Sequence, residues 1–339
     1  MSQVAEPTVA DVGEFGLIAR LRQRFGTVGV GVVRGIGDDT AALQVSPGNL
    51  LLATTDAAVE GVHFLRAATT GRLLGRRVLA VNLSDVAAMG GIPRWALVSL
   101  SLPGQTPLSF VDELAAGLEE EATHYGVAIV GGNLARSPER LVLDLTLLGE
   151  VEPDRVVYRT GAQPGDRVLV SGTLGDAAAG LAVMLGEAPA DVSGVDQLVA
   201  RQRLPTPRVE AGRVIAESGQ ATAMIDLSDG LASDLGHLVE NNNLGAVVFA
   251  QAIPLSHAIR MLAQATGRDP LEWALYGGED YELMLTVPPG RVGEVIAAVR
   301  AVGVQLTEVG VMTDRPGLWL ERSPGTREPI QSSAWRHFE

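Results

Sequence analysis

The sequence predicts a two-domain protein of the α/β (or α+β) class, and three observations carry that expectation. Short β-like runs alternate with runs of helical period along the whole chain. A length of 339 residues suggests about two domains, and 46% hydrophobic residues supply enough apolar surface for their cores. Glycine contributes 40 residues, well above the usual share of about 7%, against 4% aromatics. Many tight turns and close backbone approaches follow from that balance.

Taken in order, residues 50–54 read as a buried strand. Residues 71–89 read as a helix, because Leu73, Leu74, Val78, Leu79 and Val81 recur at three- and four-residue steps. A strand over 95–102 is stopped by Pro103, and a helix over 110–125 ends at Gly126. Strands follow at 127–130 and 141–148. Residues 150–165 change texture, with Pro153, Pro164 and scattered charges, which puts the domain boundary near 150–160 and divides the chain into 1–150 and 151–339. Beyond it, strands are expected at 166–171, 221–225, 246–250, 281–287 and 305–311. Helices are expected at 176–185, 208–218, 233–241, 257–266 and 291–302. No low-complexity segment or solenoid repeat interrupts the pattern.

Composition excludes whole mechanisms. All 26 basic side chains are Arg, and Cys is absent. Without Lys there is no P-loop lysine, no kinase strand lysine and no Schiff base. Without Cys there is no thiol nucleophile, disulfide or thiolate metal site. A net charge of −14 argues against nucleic acid as a partner. No apolar run approaches a membrane span and the first residues lack the pattern of a signal peptide, so the expected compartment is the cytoplasm.

The acidic residues are informative by placement. Asp recurs beside Gly, Ser or Thr, usually after an apolar run: Asp38 and Asp39 after GIG, Asp56 after Thr54 and Thr55, Asp85, then Asp226 and Asp229, then Glu279 and Asp280 after a Gly pair. Taken alone, an Asp beside Gly has the ordinary composition of a turn or helix cap. Five such clusters point instead to convergent binding of metal and phosphate. Hard oxygen ligands suit Mg²⁺, which keeps water and bridges to phosphates. Arg159 and Arg208 could supply bidentate phosphate contacts. His63 lies seven residues beyond Asp56, close enough to share its pocket, although a structural role explains its position equally simply. His124, His237 and His257 fall on helical faces and receive no role. The terminal AWRHF segment is either a docked tail or a ring that stacks on a flat ligand.

The segments GIGDDTAAL, TTDAAVEGVHF, VNLSDVAAMGGIP, YRTGAQPGDRVLVSGTLGD, IDLSDGLASDL and YGGEDYEL occur in this order. Together they closely resemble the thiamine-monophosphate kinase family, within the superfamily named after aminoimidazole ribonucleotide synthetase. The resemblance runs from about residue 13 to residue 338 and implies ATP-dependent phosphorylation of thiamine monophosphate to thiamine diphosphate. It also implies a two-domain fold: an N-terminal domain for ATP and metal binding whose sheet pairs across a homodimer into a barrel, and a C-terminal α/β domain that completes the active site. On the family's pattern Asp38, Thr54, Thr55, Asp56, Asp85, Asp226 and Asp229 fall on Mg²⁺-ligand positions. Arg159 and Ser228 fall on ATP-contact positions, and His63, Glu279 and Trp335 on positions that hold the thiamine phosphate. No general base is required, because the acceptor is already an ionised phosphate and the work is positioning and charge neutralisation.

Two departures stand out. The family usually has Gly-Gly-Asp where this chain has Gly131-Gly132-Asn133, so Gly132 and Asn133 take the ATP and metal position with an uncharged ligand. Arg76 or Arg77 stands where relatives commonly have Lys. The alternatives are a binding protein of the same fold with weak or no turnover, or another ATP-dependent synthetase of the superfamily. Selenophosphate synthetase and the hydrogenase-maturation protein fit poorly, since each relies on a Cys absent here.

Overall fold

A computed structural model describes residues 6–25, 29–37 and 39–330. The chain forms two compact units, Met1–Val86 with Ile92–Pro153, and Ala87–Gly91 with Asp154–Glu339.

In chain order the first unit contains α1 (Val9–Phe25), β1 (Val32–Arg34), β2 (Ala42–Leu43), β3 (Leu50–Val59), most of α2 (Gly71–Ala88), β4 (Ile92–Leu102), α3 (Leu108–Tyr125), β5 (Ala128–Arg136) and β6 (Val142–Val151). β1 and β2 make a small antiparallel pair. The main sheet has the order β3-β6-β4-β5, with β4 and β5 parallel and the other neighbours antiparallel. Central β4 and β6 alternate buried and half-buried residues, whereas the edge strands β3 and β5 carry long exposed stretches.

Both edge strands outrun the sequence expectation. β3 continues five residues past 54 through Thr55 and Asp56, and β5 runs six past 130 through the Gly-Gly-Asn segment. The ladder explains the difference. All ten residues of β3 pair with β6, and backbone hydrogen bonds hold a strand whatever side chains stand on its open face. α1 was not expected either. Only Leu17 of its described side chains is buried, so the apolar period that announces a helix is missing.

Helices α2 and α3 touch backbone to backbone. A Cβ on Gly75 would stand 2.1 Å from the carbonyl oxygen of Leu114, and one on Gly117 2.0 Å from that of Arg72. Glycine is required there by the neighbouring chain rather than by its own torsion angles. Leu74, Val78 and Leu79 of α2, Leu114 and Leu118 of α3, and Leu143, Leu145 and Leu147 of β6 are all buried.

The second unit contains β7 (Arg167–Ser171), α4 (Asp176–Met184), α5 (Val195–Arg203), α6 (Val209–Ser218), β8 (Ala223–Asp226), α7 (Leu231–Asn242) and β9 (Gly245–Phe249). It continues with α8 (His257–Thr266), α9 (Pro270–Tyr276), β10 (Leu283–Val287), α10 (Val292–Ala301), β11 (Leu306–Thr313), β12 (Gly317–Ser323) and β13 (Thr326–Pro329). The seven-stranded sheet has the order β13-β12-β9-β11-β7-β10-β8 and is antiparallel except for the pair β12–β9. Alternation divides its side chains between two cores. Val168, Val170, Ile225 and Met284 pack with Leu231, Leu235 and Leu238 of α7, whereas Leu169, Met224 and Leu285 pack with Ile215 of α6 and Val295 and Val299 of α10.

The sequence expectation missed α5, α9, β12 and β13. α5 is mostly polar (VDQLVARQR), α9 has seven residues, and of the last hairpin only Leu318 and Leu320 of β12 are buried while β13 is exposed throughout. None of them offers a strong period.

Helix propensity alone predicts that Gly75→Ala stabilises α2 by about 1 kcal/mol. The Leu114 carbonyl reverses the sign. The expected result is a loss of about 1–3 kcal/mol in urea-induced unfolding of the first unit, and a gain would show that the helices separate freely.

Candidate active site

In the first unit the β3 ladder sets the side-chain directions. Thr54 and Asp56, two residues apart, share one face. On that face Thr54 Oγ1 donates to Asp85 Oδ2 of α2 at 2.5 Å. Burial, and secondarily the neighbouring Asp85 carboxylate, lift the Asp56 carboxyl from the ordinary carboxylate value to about 6. Thr55 points the other way, its hydroxyl donating to the Leu145 carbonyl at 3.2 Å and accepting from Thr146 Oγ1 at 3.2 Å. These three residues therefore cannot all turn their side chains to one ion.

Gly132 and Asn133 lie in β5, at the opposite edge. Asp56 pairs with Leu145, Leu145 with Val98, and Val98 with Gly132, so one row crosses the sheet from edge to edge. Three inter-strand steps separate its ends by roughly 14 Å. Within this unit the structure thus does not gather Asn133 with Asp56. The register shift opposite Ala96 and Leu97 makes Val130 the extra residue of a bulge just before the glycine pair. His63 lies in the turn after β3, and its Nδ1 accepts from the Val59 N–H at 3.1 Å. An accepting Nδ1 leaves the imidazole proton on Nε2.

In the second unit Asp226 closes β8 and is buried, and Ser228 and Asp229 form the turn into α7. Asp234, buried in α7, accepts from the N–H groups of Asp229 and Gly230, both at 3.1 Å. Burial first, then Asp226 and Asp229, push its carboxyl up to about 8. Asp229, Asp234 and His237 each offer a ligand atom within 4.8 Å of the others. Asp234 and His237 were not assigned from the sequence. Their signal is the three-residue spacing in SDLGH, which puts both on one face of the helix.

The loop from Gly277 to Glu282 is laced to that turn. Glu279 N–H donates to the Ser228 carbonyl at 2.7 Å, Tyr281 N–H to the Leu227 carbonyl at 2.8 Å, and Leu227 N–H to the Glu282 carbonyl at 2.8 Å. The lacing holds Glu279 (φ 61°) and Tyr281 (φ 50°) in the left-handed region. Gln202 Nε2 donates to Glu279 Oε2 at 3.2 Å. Between the strained residues the buried Asp280 carboxylate accepts from the Gly175 N–H at 2.9–3.0 Å, and burial raises its carboxyl well above the usual range. Thr173, Arg201, Pro205 and Glu279 help to line a shallow indentation beside it.

Arg208 has a different partner from the phosphate expected of it. Its guanidinium donates through Nε (2.6 Å) and Nη2 to buried Glu282, which also accepts from Ser171 Oγ at 2.5 Å. The pair fixes the loop from below. The Arg159 side chain is exposed. Asp38 and Trp335 lie outside the described residues.

The family model of the AIR synthase related protein N-terminal domain matches residues 37–151, and that of the C-terminal domain matches residues 163–321. The thiamine-monophosphate kinase of Aquifex aeolicus (strain VF5) is 36% identical over 328 residues, 97% of this chain and 99% of the relative. The crystal structure of thiamine-monophosphate kinase from Stenotrophomonas maltophilia K279a superimposes with a TM-score of 0.81 at 36% identity, covering 91% of this chain and 96% of that one. A structure described as AaThiL complexed with AMPPCP and TMP superimposes with a TM-score of 0.77 at 34% identity and full coverage of both chains.

Because the folded-state value of Asp56 lies above the ordinary one, the native state binds its proton more tightly than the unfolded chain does. The resulting penalty is absent in strong acid, grows as pH rises toward about 6 and is complete above it. With divalent ions chelated, Asp56→Asn is therefore expected to melt a few degrees above the parent at pH 8 and level with it at pH 4. Equal midpoints at pH 8, read by scanning calorimetry, would contradict the burial of Asp56 beside Asp85.

Proposed function

The chain belongs to the thiamine-monophosphate kinase family of AIR synthase related proteins, and from that premise we propose that it transfers the γ-phosphoryl group of ATP to the phosphate of thiamine monophosphate, giving thiamine diphosphate. The observation that carries the proposal is the near end-to-end identity with enzymes of that name. A relative that matches over its full length and holds AMPPCP, an ATP analogue, together with TMP, supports the two substrates.

The donor set fits Mg²⁺. Thr54, Asp56 and Asp85 offer hard oxygen atoms, and the raised Asp56 carboxyl marks a place where a cation would relieve repulsion. Asp226 and Asp229 would hold Mg²⁺ in the second unit, with Asp234 behind them. Asp38 is a further proposed ligand, whereas Thr55, which turns to the other face of β3, and Asn133, across the sheet, would have to serve an ion other than the one at Asp56. Bound Mg²⁺ would neutralise charge on the phosphates.

The chain's own residues do the rest. Arg159 and Ser228 are the proposed ATP contacts of the second unit and Gly132 and Asn133 those of the first, each taken by itself, and Arg159 presents a planar fork suited to phosphate oxygens. His63, with its proton on Nε2, donates to a substrate oxygen. Glu279 carries the wrong charge for the phosphate and meets the cationic thiazolium or the amino group instead, with Trp335 against the rings. No side chain acts as general base, since the attacking phosphate oxygen carries no proton to remove. Transfer then depends on in-line positioning.

The proposal includes a homodimer and a cytoplasmic location. β3 supports the dimer, as a ten-residue edge strand on which Leu50 and Leu51 are exposed. Among the described residues no helix is long and apolar enough to cross a membrane. A second reading, a binding protein with little turnover, is favoured by Asn133 alone.

Incubation with ATP, Mg²⁺ and thiamine monophosphate is expected to yield thiamine diphosphate on chromatography. Saturable binding of both substrates without product would favour the binding protein. In the same assay Asp56→Asn is expected to lower turnover roughly 100-fold, as loss of a charge-stabilising group at a phosphoryl-transfer site does, and unchanged turnover would remove Asp56 from the site. Asn133→Asp is expected to tighten ATP–Mg²⁺ binding up to about tenfold, or about 1.4 kcal/mol. Calorimetric titration that finds no change would mean that position 133 is not a ligand.

A further inference from the structure

One side chain in the second unit commits three of its four hydrogen bonds to the backbone around Arg159. Asn242 is the last residue of α7. Its Nδ2 donates to the Arg159 carbonyl at 2.8 Å and to the Leu238 carbonyl, one turn back in the helix, at 2.7 Å. Its Oδ1 accepts from the N–H of Gly161 at 2.7 Å and from that of Ala162 at 3.1 Å. Two donors and two acceptor sites are all that a primary amide possesses. The amide orientation is fixed as well, because a flipped group would set its own N–H atoms against those of Gly161 and Ala162.

The segment so held is short, is exposed from Arg159 to Gly161 with Ala162 anchored in the core, and carries a glycine, a composition that would otherwise leave the exposed backbone free to sample many conformations. It is pinned on the sheet side too. The Tyr158 carbonyl accepts from Met224 N–H at 2.9 Å, so the chain passes along the outer edge of β8. Met224 precedes Asp226 by two residues, about 7 Å along the strand. Gly161 has φ 127°, and a Cβ there would stand 2.3 Å from the Thr222 carbonyl oxygen. Arg159 thus projects from a backbone fixed on both sides, on the strand that ends in Asp226.

We propose that Asn242 is a positioning residue for the nucleotide: by clamping residues 159–162 it aims the Arg159 guanidinium at bound ATP. The proposal rests on the reading of Arg159 as an ATP contact. Asn242 touches neither substrate. It removes disorder from the backbone that carries Arg159, so the ordering cost is met during folding and not on binding. Its effect falls on ATP affinity, while the bond-making step and the thiamine phosphate subsite are untouched.

A double-mutant cycle on the full-length enzyme tests this. Asn242→Ala removes the clamp bonds to three backbone groups and is expected to raise KM for ATP roughly three- to tenfold, the scale of one or two net hydrogen bonds. The kcat and the KM for thiamine monophosphate are expected to stay within about twofold. Arg159→Ala alone is expected to raise KM for ATP, and adding Asn242→Ala to it is expected to change nothing more. An unchanged KM for ATP in Asn242→Ala, a full additive increase in the double variant, or an equal change in both KM values would overturn the proposal. If Arg159→Ala leaves KM for ATP unaltered, the ATP reading of Arg159 fails first and the proposal fails with it. Should Asn242→Ala not fold, Asn242→Asp serves the same cycle. It keeps the oxygen that faces Gly161 and Ala162 and loses the donors, so an intermediate KM for ATP is expected, and a parental value would overturn the role.

Discussion

Burial of carboxylates beside one another is the constraint on which the candidate site depends. Asp56 stands beside Asp85, and Asp234 beside Asp226 and Asp229, and each crowded carboxyl is lifted above its ordinary range, by burial first and by its neighbours second. Such groups lower stability at neutral pH when no cation is present. The divalent ion proposed here would be bound the more strongly for the repulsion it relieves. The surrounding scaffold holds these carboxylates in place. Asp56 lies inside a ten-residue ladder, Asp85 lies in a helix packed glycine against backbone, and Asp226 ends a strand buried on both faces.

In the second unit the same repulsion is balanced by a polar framework. Asp280 and Glu282 lie buried on either side of Tyr281, one answered by a backbone N–H and the other by Arg208 and Ser171. Removing one partner of a buried ion pair of this kind costs about 3–5 kcal/mol. That cost makes the segment around Glu279 a fixed structure despite two non-glycine residues in the left-handed region. Three backbone hydrogen bonds then tie it to the turn that carries Ser228 and Asp229. Displacement of either segment strains the other, so proposed contacts to two different substrates share one mechanical unit.

Most elements with a strong apolar period were legible in the sequence, and their ends differ by a few residues. The helix over 257–266 is the clearest case, with a Ser256 side chain that accepts from Ile259 N–H at its start and Gly267 at its end. α1 and α5 were missed because their exposed faces dominate their composition. β3 and β5 were cut short because polar and glycine residues do not look like strand, yet a ladder needs only their backbones. Arg208 shows the same limit for function. Its sequence context, LPTPR, cannot distinguish a phosphate ligand from the partner of a carboxylate 74 positions away.

Composition and local pattern by themselves determined which chemistries are closed to this chain, that Asp-rich turns follow apolar runs, and which family those turns resemble. Those properties depend on residue identity and near neighbours, and both are written along the chain. Tertiary structure alone decided that Thr54 and Asp56 face Asp85 while Thr55 turns away. It also decided that Asn133 stands an entire sheet width from Asp56, that Asp234 and His237 join Asp229, and that Asn242 grips the Arg159 segment 83 residues before it. The reason is geometric: pairing register and helix packing set distances between residues far apart in sequence, and Coulombic and hydrogen-bond energies depend on those distances.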